Sequence, residues 1–515
     1  MTFLDAPPVW VITHGRMRAG LLALIVVVAL GAGTVLLVSS RRSAHQERMR
    51  SDLARDLAQG GLAGLTRAQA RARHLMLADP ADREAVATLA FANVVLAVEY
   101  GLDSTGDVQS LLGRGREPPG VSETVVGLTA AARALWLLHA GDREGAAHQA
   151  AAAAKAAPGA PQPLYALGRI RARAGDLPGA AHALEGALSR DPGFTLAEVT
   201  WAEVRLDGGD PEAARKALKK MLGRPGCADD PRALLLLGEA ERAAGEVGAP
   251  VEKAVCDRLM AAAADQPGPS RWPPAAVRAG CALARAAQAR ALGRRTEAVA
   301  SAEEAGRLAP AEPRLLTRAS LLLAQLGEID WAAGLLERAR RLNPTETPAV
   351  KWAAAALDLG RGHTLLLPRG PRPADPEIRL VIARGALSAA GLGGLRTALA
   401  GLGPAALRQH DADLAMLAAL VAADRGRAPG SGGPPLSDVV PGDDPFRSYL
   451  EGLRANLAGD VAEAARRLAR ALSGHGDACR AAGEYIDALK LLKRPDDPKA
   501  FTALRAENST CVNLR

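Results

Sequence analysis

Aromatic residues are scarce, with 5 Phe, 4 Tyr and 6 Trp in 515 residues, or 3% of the chain. No alternating run of Val, Ile, Thr or Tyr of useful length occurs, so the chain lacks the stock from which sheets are built. Cysteine is also sparse: there are five, with no Cys-x-x-Cys pair and no Cys/His cluster, which argues against zinc. The sequence holds no GxxxxGK[ST], no GxGxxG after a strand, no HExxH and no GxSxG. The phosphate-binding, dinucleotide, zinc-protease and serine-hydrolase chemistries tied to those motifs therefore have no signature here. Charge of one sign is not concentrated. The 64 basic and 56 acidic residues leave +8, spread out and without aromatic interleaving, and no nucleic-acid partner is expected.

What the chain has is Ala, Leu and a period. Its 48% hydrophobic content is supplied mainly by small and unbranched-at-β residues that favour closely packed helices. Gly141-Asp142, Gly175-Asp176 and Gly209-Asp210 follow one another at 34-residue steps, and Pro158 and Pro192 keep the same spacing. Gly293 to Gly327 and Pro310 to Pro344 repeat it. A fixed period near 34 predicts an array of helical hairpins, in which each unit buries its apolar face only against its neighbours. Asp142, Asp176 and Asp210 stand where N-caps of second helices belong, with Pro in the first turn after the last two.

The unit from Pro161 carries Leu164, Leu167, Gly168, Ala180, Leu184, Ala187 and Pro192 at its fourth, seventh, eighth, twentieth, twenty-fourth, twenty-seventh and thirty-second places. This pattern resembles the tetratricopeptide repeat (TPR), departing from it only at Arg171, where the family prefers Tyr. The resemblance runs over 127–359 and again over 445–476. It implies an all-α, right-handed α-solenoid of TPR-like helix-turn-helix repeats, with Gly168 facing Ala180 where the paired helices come closest. It also implies a partner groove on the concave face, lined by the first helix of each hairpin. Carried over place by place, that groove holds Tyr165, Arg169, Arg173, Glu203, Asp207, Arg232, Glu239, Arg242, Arg290, Arg314 and Arg318. Mixed charge with an arginine excess suits a protein or peptide ligand of acidic character. The ninth places hold no Asn, which argues against the clamp that binds chaperone C-terminal carboxylates. His148 and His182 occupy equivalent places and are expected to be half-exposed on outer helices. Trp201, Trp331 and Trp352 are expected to pack within hairpins.

Ahead of the array, 20–39 is uncharged and about 20 residues long, the span of a bilayer-crossing helix. A cleaved signal peptide would have a shorter apolar region and a small-x-small site, whereas Ser39-Ser40 runs directly into Arg41-Arg42. An uncleaved anchor is the expectation; a cleaved signal and a buried helix are its alternatives. The basic residues after the span favour a cytoplasmic bulk, while the short basic tail before it favours a bulk in the periplasm of a bacterium, the reading adopted here. A Cys479–Cys511 disulfide would pin the C-terminal tail, and Cys227 with Cys256 or Cys281 is a second possible pair; five unpaired packing thiols is the alternative.

The expected organisation is a basic tail (1–19), the transmembrane anchor (20–39) and a juxtamembrane region of degenerate repeats (40–126). Within the last, Gly60-Gly61 should break the first helix, Thr66 should cap the second, and 82–99 should show an amphipathic stripe of Val86, Leu89, Ala90, Val94 and Ala97. A TPR array (127–262), a Pro-rich insertion (263–278), a continued array (279–360), degenerate repeats (361–423), a flexible linker (424–445) and a last unit with a capping helix (446–515) complete it. The expected function is a noncatalytic membrane-anchored scaffold in a bacterial envelope complex, without cofactor or metal. The competing expectations are an assembly factor for an envelope polymer-synthesis or secretion machine and, from another class, an enzyme with its site in 376–423.

Overall fold

In the computed structural model, the described residues are 41, 44–102, 108–114, 122–244, 256–257, 275–310, 312–343, 347–360, 375–399, 417, 420 and 445–471. Among them every regular element is an α-helix. The N-terminal anchor expected at 20–39, residues 424–444 of the linker expected at 424–445, Cys479, Cys511 and the expected capping helix lie outside the described residues, while Pro445 opens a helix. No described helix is long and apolar enough to cross a membrane.

The helices are α1 (residues 44–59), α2 (Gly61–Ala78), α3 (Arg83–Tyr100), α4 (Val108–Arg114), α5 (Glu123–His139), α6 (Arg143–Ala156), α7 (Pro161–Arg173), α8 (Leu177–Arg190), α9 (Thr195–Asp207), α10 (Pro211–Leu222) and α11 (Pro231–Ala243). They continue as α12 (Ala275–Ala291), α13 (Arg295–Leu308), α14 (Pro313–Gln325), α15 (Ile329–Leu342), α16 (Pro348–Gly360), α17 (Pro376–Leu399), α18 (Pro445–Leu457) and α19 (Val461–Ala471). Hairpins pair α5 with α6, α7 with α8, α9 with α10, α12 with α13, α14 with α15 and α18 with α19, and successive hairpins stack on one another. This is a TPR-like helical repeat array.

The Gly-Asp step has a double job at each turn. Gly141, Gly175 and Gly209 have φ of 89°, 80° and 85°, the left-handed conformation that ends a helix at little cost only for glycine. The amide of the following Asp reaches back five residues, as Asp176 N–H does to the Arg171 carbonyl at 3.0 Å and Asp210 N–H to the Arg205 carbonyl at 2.8 Å. The same Asp then caps the next helix: Asp142, Asp176 and Asp210 accept from the amides of Gly145, Gly179 and Ala213 at 2.8, 2.9 and 3.1 Å. One dipeptide closes the first helix and opens the second, which is why it recurs with the repeat.

Burial separates inner from outer helices. Second helices bury one stripe, such as Ala146, Ala150 and Ala153 of α6 or Ala332, Leu336 and Ala339 of α15. First helices are buried almost all round: α14 buries ten residues in succession, Leu316–Gln325. An open array would leave the concave side of those first helices in water. Helix α14 is covered by α12, α16 and α17, and around the earlier first helices α3 explains the difference. The positions between its expected stripe are also apolar or small, including Ala85, Ala87, Phe91, Ala92, Val95 and Leu96, so it has no polar face. A helix apolar all round belongs in a core. It packs on α2 and α5, reaches α12, and puts its C-terminal end among the first helices of the array.

Other expectations shift. Helix α2 starts at Gly61 rather than after Thr66, whose hydroxyl donates to the Leu62 carbonyl at 2.8 Å from inside the helix. Its N-terminus is served from 168 residues away, because Asp230 accepts the Leu62 amide at 3.1 Å. Helix α12 starts at Ala275, inside the stretch assigned to the Pro-rich insertion. Gly168 meets Leu184 first: a Cβ added there would lie 2.6 Å from Leu184 Cγ and 3.2 Å from the Ala180 carbonyl oxygen. Cys256 pairs with Cys281 in a disulfide, and Cys227 is a buried thiol paired with neither. Trp352 is buried and Trp201 packs against the core, but Trp331 is 45% exposed on α15, an outer helix. His148 and His182 are exposed on α6 and α8.

Candidate functional site: the concave face

The structure brings the groove residues together, but onto one another. Glu99, at the end of α3, is fully buried. Its carboxylate sits 2.9 Å from the Arg169 guanidinium of α7 and 2.8 Å from that of Arg232 at the start of α11, and it accepts the Tyr165 hydroxyl at 2.6 Å. Glu203 of α9 closes the ring by pairing with Arg169 at 3.0 Å and with Arg232. Two carboxylates and two guanidiniums thus alternate across four helices. Next to them, Asp230 accepts the Tyr100 hydroxyl at 2.8 Å while capping α11 through the Ala233 amide at 2.8 Å. With the Leu62 amide, that single aspartate joins α2, α3 and α11.

The electrostatics follow from this geometry. Burial alone would push the Glu99 carboxyl up, yet Arg169 and Arg232 outweigh it and hold it below the usual carboxylate range. Glu203 is opposed by burial in the same way and is held well below that range by Arg169, Arg232 and Arg314. Burial drives the Tyr165 hydroxyl well up, reinforced by the Glu99 charge. Both carboxylates are therefore ionised at neutral pH, with Tyr165 as a neutral donor.

Two further groups continue the chain of pairs. Arg173 of α7 makes a two-pronged pair with Glu312, the residue before α14, at 2.8 and 2.9 Å. Arg314 pairs with Glu239 and stands 3.7 Å from Asp207. Asp207 has the weakest support: burial pushes its carboxyl up, Arg314 offsets part of that, and Glu203 and Glu239 add to it, leaving it at about 6. Arg242 grips Asp375 at 2.6 and 2.7 Å, and Arg318 lies 3.2 Å from Glu377. Burial works against the Glu377 charge, but Arg242 and Arg318 keep its carboxyl below the usual range. Arg290 is buried on α12 beside this last group, and its carbonyl accepts from Arg447 at 3.3 Å.

The eleven residues expected to line a partner groove thus sit in or beside an internal network that ties α3, α7, α9, α11, α14 and α17 together. Sequence reasoning included Glu203, Asp207 and Glu239 but missed their fellow acids Glu99, Asp230, Glu312, Asp375 and Glu377. For Asp230 a signal existed, since Asp-Pro ahead of an apolar run marks a helix start. For Glu99 the signal was a carboxylate and Tyr100 ending a helix otherwise almost without charge.

The described residues also leave an opening at the rim. A cavity of about 360 Å³ lies between α1 and the N-terminal ends of α3, α5 and α7, lined by Leu53, Leu57, Glu84, Glu123, Leu128, Gln162, Asp191 and Phe194 among others. Among the described residues no group of His, Cys, Asp and Glu is arranged to hold a metal ion.

No protein-family model matches this chain, and no curated protein matches its sequence. Solved structures similar to it include a human IFIT1 dimer with PPP-AAAA, at 13% identity over 82% of this chain and 94% of that one, with a TM-score of 0.34. Yeast Tom70 is similar at 10% identity over 86% and 88%, with a TM-score of 0.27. Naa15/Naa10 bound to HypK-THB is similar at 14% identity over 86% and 81%, with a TM-score of 0.21. Values this low transfer no ligand, partner or activity to this chain.

Proposed function

We propose that this chain is a noncatalytic scaffold that holds protein partners on its helical repeats and is anchored in a bacterial inner membrane by 20–39. The observation that carries the reading is the hairpin array itself. Each added hairpin extends a surface of regular curvature without needing a new core. The charged concave residues are paired with one another, so partners are met at the rim and on the outer helices rather than by displacing buried ion pairs. The apolar span at 20–39 supports the anchor. The Cys256–Cys281 disulfide supports a periplasmic bulk, because such bonds persist in oxidising compartments.

Two measurements test the reading. The full chain, crosslinked in cells and purified under denaturing conditions, is expected to carry the same envelope proteins in replicate preparations. Recovery of the chain alone would overturn the scaffold. A reporter active only in the periplasm, fused after Arg515, is expected to give signal, and removal of 1–40 is expected to release the chain from membranes. A silent reporter would put the bulk in the cytoplasm, and membrane retention without 1–40 would refute the anchor.

A further inference from the structure

Among the described residues the most exposed large apolar side chain is Leu77, at 85%; Leu292, Trp331 and Leu457 follow at 39%, 45% and 41%. A lone exposed leucine is ordinary in a folded protein. The place of this one is not. Leu77 lies in the last turn of α2 and is followed by Ala78, Pro80 and Ala81, all exposed at the turn into α3. Elsewhere the outward stripe of α2 is Ala63, Thr66, Ala70 and Arg73, so its one large apolar member stands at this end.

Polar contacts fix what that end is next to. Arg67 of α2 pairs with Asp56 of α1 at 2.9 Å, and Arg71 donates to the Asp52 carbonyl at 3.1 Å, so the two helices run antiparallel. Continuing that register sets the last turn of α2 beside the first turn of α1. Arg50 agrees from the far side of the turn, pairing with Asp82 at 2.9 Å. Five residues lead from 39, where the uncharged stretch 20–39 ends, to 44, where α1 begins. Five residues reach at most about 17 Å. The exposed apolar turn is thus leashed to the end of the apolar stretch. Its acids are partly answered from within: Asp82 foremost, with Glu84 and Asp79, favours the Arg50 cation, and Asp79 accepts the Ala81 amide at 3.0 Å. Arg48, Arg73 and Arg83 are exposed about the same end, together with Glu47.

We propose that the α2–α3 turn rests on the surface of the bilayer that holds 20–39. Leu77 and Pro80 enter the boundary between headgroups and acyl chains, and Arg73 and Arg83 meet lipid phosphates. Amphipathic elements that lie on membranes bury their apolar side chains roughly 5–10 Å into that boundary. Basic residues at the surface gain further from anionic lipid. Held at two places, the array takes a fixed attitude to the membrane instead of swinging from a single tether. This inference rests on the anchor proposed at 20–39.

The test uses the full-length chain carrying Cys479→Ser and Cys511→Ser, in vesicles of three parts phosphatidylcholine to one part phosphatidylglycerol. Cys227 is buried and Cys256 is bonded to Cys281, so a thiol-directed nitrobenzoxadiazole label goes to an introduced cysteine. Ala81→Cys places the label at the turn and Ala147→Cys places it on the outer helix α6, both exposed positions. Doxyl-labelled lipid is expected to quench the label at 81 at least threefold more than the label at 147, and aqueous iodide the reverse. Leu77→Glu, at an exposed position, is expected to leave the melting temperature unchanged and to cut the doxyl quenching at 81 by at least half. A turn merely held near the membrane by its leash would not respond to Leu77→Glu. Equal lipid quenching at 81 and 147, or quenching at 81 untouched by Leu77→Glu, would overturn the proposal. Flotation with the vesicles separates the two readings. A chain that floats without quenching at 81 keeps its anchor and loses the docked turn, whereas a chain left behind refutes both.

Discussion

Replacing Gly168 with alanine sets two effects of opposite sign against each other. In an exposed helix interior, Gly→Ala gains about 1 kcal/mol from propensity. Here the new methyl would stand 2.6 and 2.9 Å from Leu184 Cγ and Cδ2, where ordinary contact begins near 3.4 Å, and 3.2 Å from the Ala180 carbonyl oxygen. Leu184 is fully buried and cannot swing into solvent, so it must leave its rotamer or the hairpin must open, a cost of roughly 1–3 kcal/mol. The net expectation is destabilisation by about 1 kcal/mol, with an upper bound near 2. Leu184→Ala alone should cost roughly 2–5 kcal/mol through the cavity it leaves. In that background the clash with Leu184 is gone, and Gly168→Ala should become neutral or stabilising by up to about 1 kcal/mol. The sign reversal is the signature, and it corresponds to a coupling of roughly 1–3 kcal/mol in a double-mutant cycle. Urea unfolding followed by far-ultraviolet circular dichroism measures it. A stabilising Gly168→Ala in the parent chain, or additivity within about 0.5 kcal/mol, would refute the packing assigned to the eighth and twenty-fourth places. The same pair recurs in the last hairpin, where a Cβ at Gly452 would meet Leu468 Cγ at 2.7 Å, so the cycle transfers there.

Glu99→Gln keeps the shape of the buried carboxylate and removes its charge. Arg169 and Arg232 retain Glu203, so the loss should fall at the low end of the roughly 3–5 kcal/mol seen when one member of a buried pair is removed. A thermal melt unchanged within a degree would show that the network is not buried as described. Asp207, raised from 3.8 to about 6, contributes stability that is fully present below pH 4 and lost as pH rises through 6. The shift caps this near 3 kcal/mol, and its 26% side-chain exposure brings the expectation nearer 1–2 kcal/mol. Glu99, Glu203 and Glu377 act oppositely, with stability present above their unfolded values and lost as pH falls below them. Asp207→Asn should therefore flatten the stability profile between pH 4 and 6 while leaving the acid limb intact; an unaltered slope in that window would disprove the assignment.

Legibility in the sequence tracked the distance over which each feature is decided. The Gly-Asp turns were readable because the left-handed glycine, the reach-back hydrogen bond and the cap are completed within a few residues. The inner and outer helices followed from the same period. The contents of the concave face were not readable, because Glu99 meets Arg169 and Arg232 only after the array has curved around α3. The helix start at Gly61 was misjudged for the same reason: local rules placed the cap at Thr66, while the acceptor in use, Asp230, belongs to another hairpin. The stripe read along α3 was present but incomplete. Following a single 3.6-residue stripe passed over Phe91, Val95, Leu96 and the alanines between, which leave the helix without a wet side. The eleven groove positions were identified as one face, and what that face touches lay beyond any single-unit pattern.

The closed concave face changes what the array can offer a partner. Removing either member of a buried pair strands a charge in a low dielectric, so an acidic peptide could enter the groove only by supplying a carboxylate in the place of Glu99 or Glu203 while α3 withdraws. Withdrawal would expose the apolar surface that α3 buries on all sides, including Phe91, Val94, Val95 and Leu96. At about 25 cal/mol per Å², uncovering even a few such side chains costs several kcal/mol before any ligand contact is made. A ligand recognised by charge alone cannot offset that. Partners of this chain should therefore leave α3 in place and engage surfaces outside the network.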